Sequence, residues 1–128
     1  MQELLNELNK LNLPKDEFAI FGSAVMAIKG IREAKDIDLI VTNELYKKLI
    51  KKYKEIKPGI IQVGNIEIIA SWNSLIKNPE EVIKNSERIG DYNYIRLKDL
   101  IAWKKKMGRE KDKNDIKLIK EYKNAGIN

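Results

Sequence analysis

The sequence predicts an α/β (α+β) fold, a small mixed β-sheet flanked by helices, and three observations predict it. Short apolar runs of strand length alternate with stretches of helical period. Turn signals such as Pro58-Gly59 and Gly64-Asn65 separate them. No repeat or low-complexity linker interrupts the 128 residues, so one domain is expected over 1–128, with a core at 18–71 and a C-terminal helical part at 97–124.

The elements follow in order. Leu4, Leu5, Leu8 and Leu11 recur at helical spacing, which predicts a helix over 2–12 that Leu13-Pro14 ends. A strand at 18–21 runs into Gly22-Ser23. Ala24 to Ile28 is apolar on all sides, as in a short buried helix, and Lys29-Gly30 closes it. Asp36 to Thr42 reads as a strand, and Leu45, Tyr46, Leu49, Ile50 and Tyr53 mark an amphipathic helix with lysines outside. After Pro58-Gly59 a hairpin is expected, 60–63 and 66–71 about the Gly64-Asn65 turn. Residues 73–90 show no clear period beyond one turn of helix after Pro79. Tyr92 to Arg96 reads as a last strand, followed by helices at about 97–107 and 112–124.

Composition narrows the chemistry. Cysteine and histidine are both absent, so disulfides, thiolate metal sites and the usual general base are excluded. Carboxylates, lysines, hydroxyls and a metal must carry any catalysis. No apolar stretch approaches a membrane span and the N-terminus lacks a basic signal region, so no membrane is expected and the cytoplasm is the default location. The net charge of +6 is uneven: residues 98–128 hold ten basic and five acidic side chains, against fifteen and fourteen in residues 1–97. Such a segment attracts polyphosphate, although a solvated lysine-rich helix surface has the same composition.

Two short motifs point to phosphate and metal. In a strand, residues two apart share a face, so Asp36 and Asp38 would direct two carboxylates to one side while Ile37 and Leu39 anchor the other. Their mutual repulsion calls for a cation, and magnesium takes one or two carboxylates together with substrate phosphates. Gly22-Ser23, where a strand turns into a helix, would let a phosphate approach the backbone at a helix N-terminus. Glu67 interrupts the apolar Ile66-Glu67-Ile68-Ile69, so it faces either solvent at a sheet edge or a cation. Lys104 falls within the apolar stripe of Leu97, Leu100, Ile101, Trp103 and Met107, where it must snorkel out or meet an anion such as a nucleotide phosphate. Asp112 and Asp115 share a stripe with Ile116, Ile119 and Tyr122, which implies cationic partners, the nearest in sequence being Arg109 and Lys111.

The order Phe21-Gly22-Ser23, a twelve-residue gap, then Asp36-Ile37-Asp38-Leu39 resembles the signature of the DNA polymerase β-like nucleotidyltransferase superfamily. Leu97 to Lys104, followed by Arg109-Glu110-Lys111-Asp112 and Asp115, is similar to the downstream motif of a prokaryotic and archaeal branch that includes the abortive-infection nucleotidyltransferase toxins. Gly30-Ile31-Arg32 before the aspartates resembles that branch too, so the likeness runs from about Phe18 to Ile119. It implies a polymerase β-like nucleotidyltransferase fold and the magnesium-dependent transfer of a nucleoside monophosphate from a nucleoside triphosphate, ATP among them, to a hydroxyl. Asp36, Asp38 and Glu67 would be catalytic and hold two magnesium ions, with manganese as a substitute. Glu67 stands where the superfamily usually has aspartate, one methylene shorter. Gly22, Ser23, Lys104, Arg109 and Lys111 would bind the nucleotide, and Asp112 and Asp115 would orient the basic groups.

The acceptor implied is RNA such as tRNA, a protein hydroxyl or a small alcohol. A homodimer or partner protein is expected to complete so short a chain. The toxins of that branch carry further domains, so their toxin activity does not transfer with the likeness. The alternative is a non-catalytic nucleotide- or nucleic-acid-binding module, for example an antitoxin or regulatory partner. A third reading is a basic RNA-binding domain in which the motif spacing is coincidence.

Overall fold

The computed structural model describes residues 1–126, so the last two positions of the expected 1–128 domain lie outside the described residues. Helix α1 (Gln2–Lys10) precedes β1 (Phe18–Phe21), α2 (Ser23–Ile28), β2 (Ile37–Val41) and α3 (Asn43–Leu49). Strands β3 (Glu55–Lys57), β4 (Ile60–Val63) and β5 (Ile66–Ala70) form a meander, and α4 (Pro79–Lys84) leads to a hairpin of β6 (Glu87–Ile89) and β7 (Tyr92–Tyr94). Helices α5 (Leu97–Met107) and α6 (Glu110–Asn124) follow. The seven strands make one mixed sheet in the order β3-β4-β5-β2-β1-β7-β6, with β2 at its centre. β2 runs antiparallel to β1 and parallel to β5, so the strand that carries Asp38 is hydrogen-bonded on both edges.

Register divides the sheet into two faces. Ile20, Leu39 and Ile68 lie side by side on one, which also carries Phe18, Ile37 and Ile66, and all six are buried. Helix α1 covers that face: Leu4 and Leu8 are buried, and Asn9 accepts a hydrogen bond from the Tyr92 hydroxyl at 3.3 Å. The other face presents Phe21, Asp38 and Glu67 in one row across β1, β2 and β5. Helix α5 packs there through Trp103, whose ring meets Phe21 edge-on with centroids 5.1 Å apart.

The expected helices and strands form, with shifts that have local causes. α1 ends at Lys10 rather than at 12, because Asn12 turns left-handed at φ 51° ahead of Pro14. β2 starts at Ile37, whose N–H bonds the Asn65 carbonyl at 3.0 Å, so Asp36 lies in a bend just before the strand and not within it. α3 begins where the Thr42 hydroxyl accepts the Leu45 N–H at 3.2 Å, and it stops at Leu49, short of Tyr53. β5 gives way at Ser71 to a single 3₁₀ turn, Ser71–Asn73. α6 starts at Glu110, ahead of the expected 112, because the Asp112 carboxylate accepts the Arg109 backbone N–H at 3.1 Å. No helix among the described residues is long and apolar enough to cross a membrane.

Candidate functional site

Nine of the ten residues singled out from the sequence line one cavity of about 370 Å³ on the Asp38 face of the sheet. They are Gly22, Ser23, Asp36, Asp38 and Glu67 on the sheet side, with Lys104, Arg109, Lys111 and Asp115 on the side of α5 and α6. The tenth, Asp112, is fully buried behind that wall.

Parallel pairing sets Asp38 directly beside Glu67, and antiparallel pairing sets it beside Phe21, the residue before Gly22. Gly22 has φ 73° and ψ −152°, a backbone region open almost only to glycine. A Cβ built there would lie 2.6 Å from Asp38 Oδ2, so the carboxylate occupies the space a side chain would need. Gly22→Ala is therefore expected to cost about 1–3 kcal/mol from backbone strain alone, more if the carboxylate must move, read as a lower urea midpoint. An unchanged midpoint would remove the close approach from the account of this site.

Electrostatics single out Asp38. Burial, then the neighbouring negative charges of Glu67 and Asp36, push its carboxyl up to about 7, against the opposing pull of Lys104 and Lys111. Such a cluster carries more negative charge than Lys104 and Lys111 offset. Among the described residues no three carboxylates are close enough to enclose an ion by themselves. The set is an open one, Asp38 and Glu67 abreast with Asp36 exposed at the mouth. Two hard oxygen donors with room for phosphate and water suit magnesium, which seldom takes an all-protein cage.

The cationic wall is built differently from the sequence expectation. Lys104 neither snorkels out nor waits for a phosphate: it is 3% exposed and donates to Asp115 Oδ2 at 2.9 Å, with Asp112 Oδ1 at 3.6 Å. Lys111, expected beside the two aspartates, is exposed and makes no ion pair with them among the described residues. Arg109 does meet Asp112, through Nε at 2.6 Å and a terminal nitrogen at 3.1 Å. The turn between α5 and α6 permits this, since Gly108 takes φ 62° and folds the two helices back on each other.

Arg32 completes the network and was given no role from the sequence beyond its place in the motif. Its Nε and one terminal nitrogen grip Asp115 at 2.7 and 2.9 Å, tying the loop before Asp36 to α6. Burial raises the Asp115 carboxyl, but the hydrogen bonds from Arg32 and Lys104 outweigh it and hold the group below its ordinary value. Burial likewise opposes, and Arg109 overcomes it at, Asp112. Trp103 was also missed, being indistinguishable from core in its helical stripe. Its Nε1 donates to the Ser74 carbonyl at 2.9 Å, and Lys104 Nζ and Arg109 Cζ lie 5.6 and 5.9 Å from its ring centre.

The arrangement can accept a cation and a phosphate at one place, with carboxylates on the sheet and fixed positive charge opposite. In comparisons with known proteins, no family model, curated protein or solved structure matches this chain.

Proposed function

We propose that this chain is a nucleotidyltransferase, with the polymerase β-like fold the motifs imply, that moves a nucleoside monophosphate from a nucleoside triphosphate to a hydroxyl acceptor. The observation that carries the reading is the setting of Asp38: on the central strand, beside Glu67, closed over by Gly22 and faced by the Lys104 and Lys111 charges. Half-buried carboxylates short of positive charge, opposite lysines and arginine, are what a metal-bound triphosphate requires.

Asp38 and Glu67, with Asp36 at the mouth, would hold magnesium or manganese. When bound, the metal offsets charge on the phosphates and on the attacking and leaving oxygens. The chain's own groups do the rest. The backbone at Gly22-Ser23 and the Ser23 hydroxyl receive the β- and γ-phosphates. Arg109 and Lys111, both exposed, meet negative charge on the triphosphate, Lys104 adds positive charge from behind them within its ion pairs, and Asp112, Asp115 and Arg32 hold Lys104 and Arg109 in place. The acceptor oxygen forms a bond to the α-phosphorus, the bond from that phosphorus to the bridging α–β oxygen breaks, and pyrophosphate leaves. A carboxylate, Asp38 or Glu67, takes the acceptor's proton.

A second reading, a non-catalytic nucleotide-binding module that serves as an antitoxin or regulatory subunit, draws on the open carboxylate set. Transfer of label from α-labelled triphosphates to total RNA and protein, with magnesium or manganese, separates the two. Label with the wild type and none with Asp36→Asn/Asp38→Asn is the expected result. No label from any of the four nucleotides, with metal-dependent nucleotide binding intact, would support the binding module instead.

A further inference from the structure

A second, larger cleft opens beside the first. It measures about 880 Å³ and lies between α5 on one side and the segment from Leu75 through α4 to Ser86 on the other. Leu75 and Trp103 line both cavities, so the cleft adjoins the carboxylate site, with the Trp103 Nε1 to Ser74 carbonyl hydrogen bond at the boundary between them. Its charge is lopsided. Five basic residues line it, Lys77, Lys84, Arg96, Lys98 and Lys106, against Glu81 and Asp99, a net +3 of the chain's +6.

Three details make this more than a lysine-rich surface. Lys98, Ala102 and Lys106 are spaced four apart on α5, so two charges stand in line with an alanine between them that leaves the floor open. Arg96 is tied to the α4 side, its Nε donating to the Asn85 carbonyl at 2.7 Å, while its terminal nitrogens make no hydrogen bond among the described residues. None of the five basic groups is in an ion pair among the described residues. At the junction stands Leu75, 52% exposed and at φ 63°, an apolar side chain held out at a left-handed position.

We propose that this cleft binds single-stranded nucleic acid and leads its terminal hydroxyl to the carboxylate site, which makes it the acceptor; the acceptor role rests on the transferase reading above. Phosphates of the strand follow Lys98 and Lys106 on one wall and Lys77 and Lys84 on the other, with Arg96 beside Asn85. The side-chain amides of Asn78 and Asn85 and the hydroxyl of Ser86 offer partners to base edges, and Leu75 with the Trp103 ring offers a surface for the last base at the junction. Charge alone would also admit an acidic peptide, but aromatic and apolar groups at the site's entrance favour bases.

The test uses the whole chain and a fluorescent twelve-nucleotide RNA of mixed sequence, with the matching DNA strand, the duplex and a polyglutamate peptide beside it. Lys98→Ala/Lys106→Ala and Lys77→Ala/Lys84→Ala change exposed side chains and should melt as wild type and keep the thermal shift with magnesium and ATP. Each pair should weaken single-strand binding by roughly tenfold or more and lower the slope of log K against log salt by about 1.4, two phosphate contacts at about 0.7 each. Equal binding by wild type and both variants, no binding by wild type at low salt, or tighter binding of duplex or polyglutamate would overturn the proposal. Lysine-dependent RNA binding without any transfer would leave the cleft's binding role and remove the transferase reading. Transfer to a protein hydroxyl without RNA binding would do the reverse.

Discussion

Asp38→Asn is expected to abolish nucleotide transfer and at the same time to raise the melting temperature at pH 8. The two effects have one cause. Burial, then Glu67 and Asp36, lift the Asp38 carboxyl from 3.8 to about 7, so the folded chain holds this proton more tightly than the unfolded chain does. A raised carboxyl favours folding below about pH 4, where the group is neutral in both states, and that advantage is lost as pH rises through about 7. Above pH 7 the fold bears an ionised, crowded carboxylate, a cost of at most about 4 kcal/mol for a shift of this size. Asparagine has the same shape and no charge. The gain in melting temperature should be near zero at pH 4, grow to roughly 5–15 °C by pH 8 and level off there. Magnesium should raise the melting temperature of the wild type at pH 8 and leave that of the variant unchanged. A variant that melts at or below the wild type at pH 8 would show that Asp38 is not held under electrostatic strain.

Lys104→Met should lower stability by about 3–5 kcal/mol, measured as a shift of the urea midpoint at pH 7. Methionine fills the space but leaves Asp112 and Asp115, both buried, without the ammonium between them. Arg32 still meets Asp115 and Arg109 still meets Asp112, so the network is weakened rather than dissolved. The pH dependence gives the sign. Both aspartates are held below their ordinary values, so their contribution in the wild type is present above the unfolded value and lost as pH falls through the folded one. Without Lys104 those carboxyls move up, and the variant's deficit should shrink as pH falls towards 4. Adding Asp115→Asn to Lys104→Met should recover part of the loss at pH 7, because it removes a charge that the first change left poorly paired. A deficit that stays constant between pH 7 and 4 would indicate lost packing alone.

Much of the site could be read from the chain because its parts are local. The Asp36 to Thr42 and Ile66 to Ser71 runs are apolar enough to be central strands, so a charge in either stands out, and glycine ahead of a helix is visible in sequence. That Asp38 and Glu67 lie abreast could not be read, since parallel pairing of β2 and β5 depends on how the strands assemble and not on either segment. β3 and β6 were hidden for a related reason. Glu55–Lys57 is exposed throughout and Glu87–Ile89 is only half-buried, so neither shows an alternating pattern, and each forms by pairing to a neighbour. The partners of Lys104 were hidden because sequence proximity favours Arg109 and Lys111 for the aspartates, whereas the Gly108 turn brings the preceding helix within reach. Arg32 and Asp115 lie 83 positions apart, and only the folded chain joins them.

That separation also imposes a sequence of events on synthesis. The carboxylates of the site leave the ribosome first, by residue 67, and the groups that offset them come last, with Lys104 and Arg109 held only once Asp112 and Asp115 have followed. A nascent chain therefore passes through a stage in which Asp36, Asp38 and Glu67 are present without the basic side chains of α5 and α6. In that interval Asp38 and Glu67 exist without the ion-paired wall that faces them, which closes only once α6 has been made.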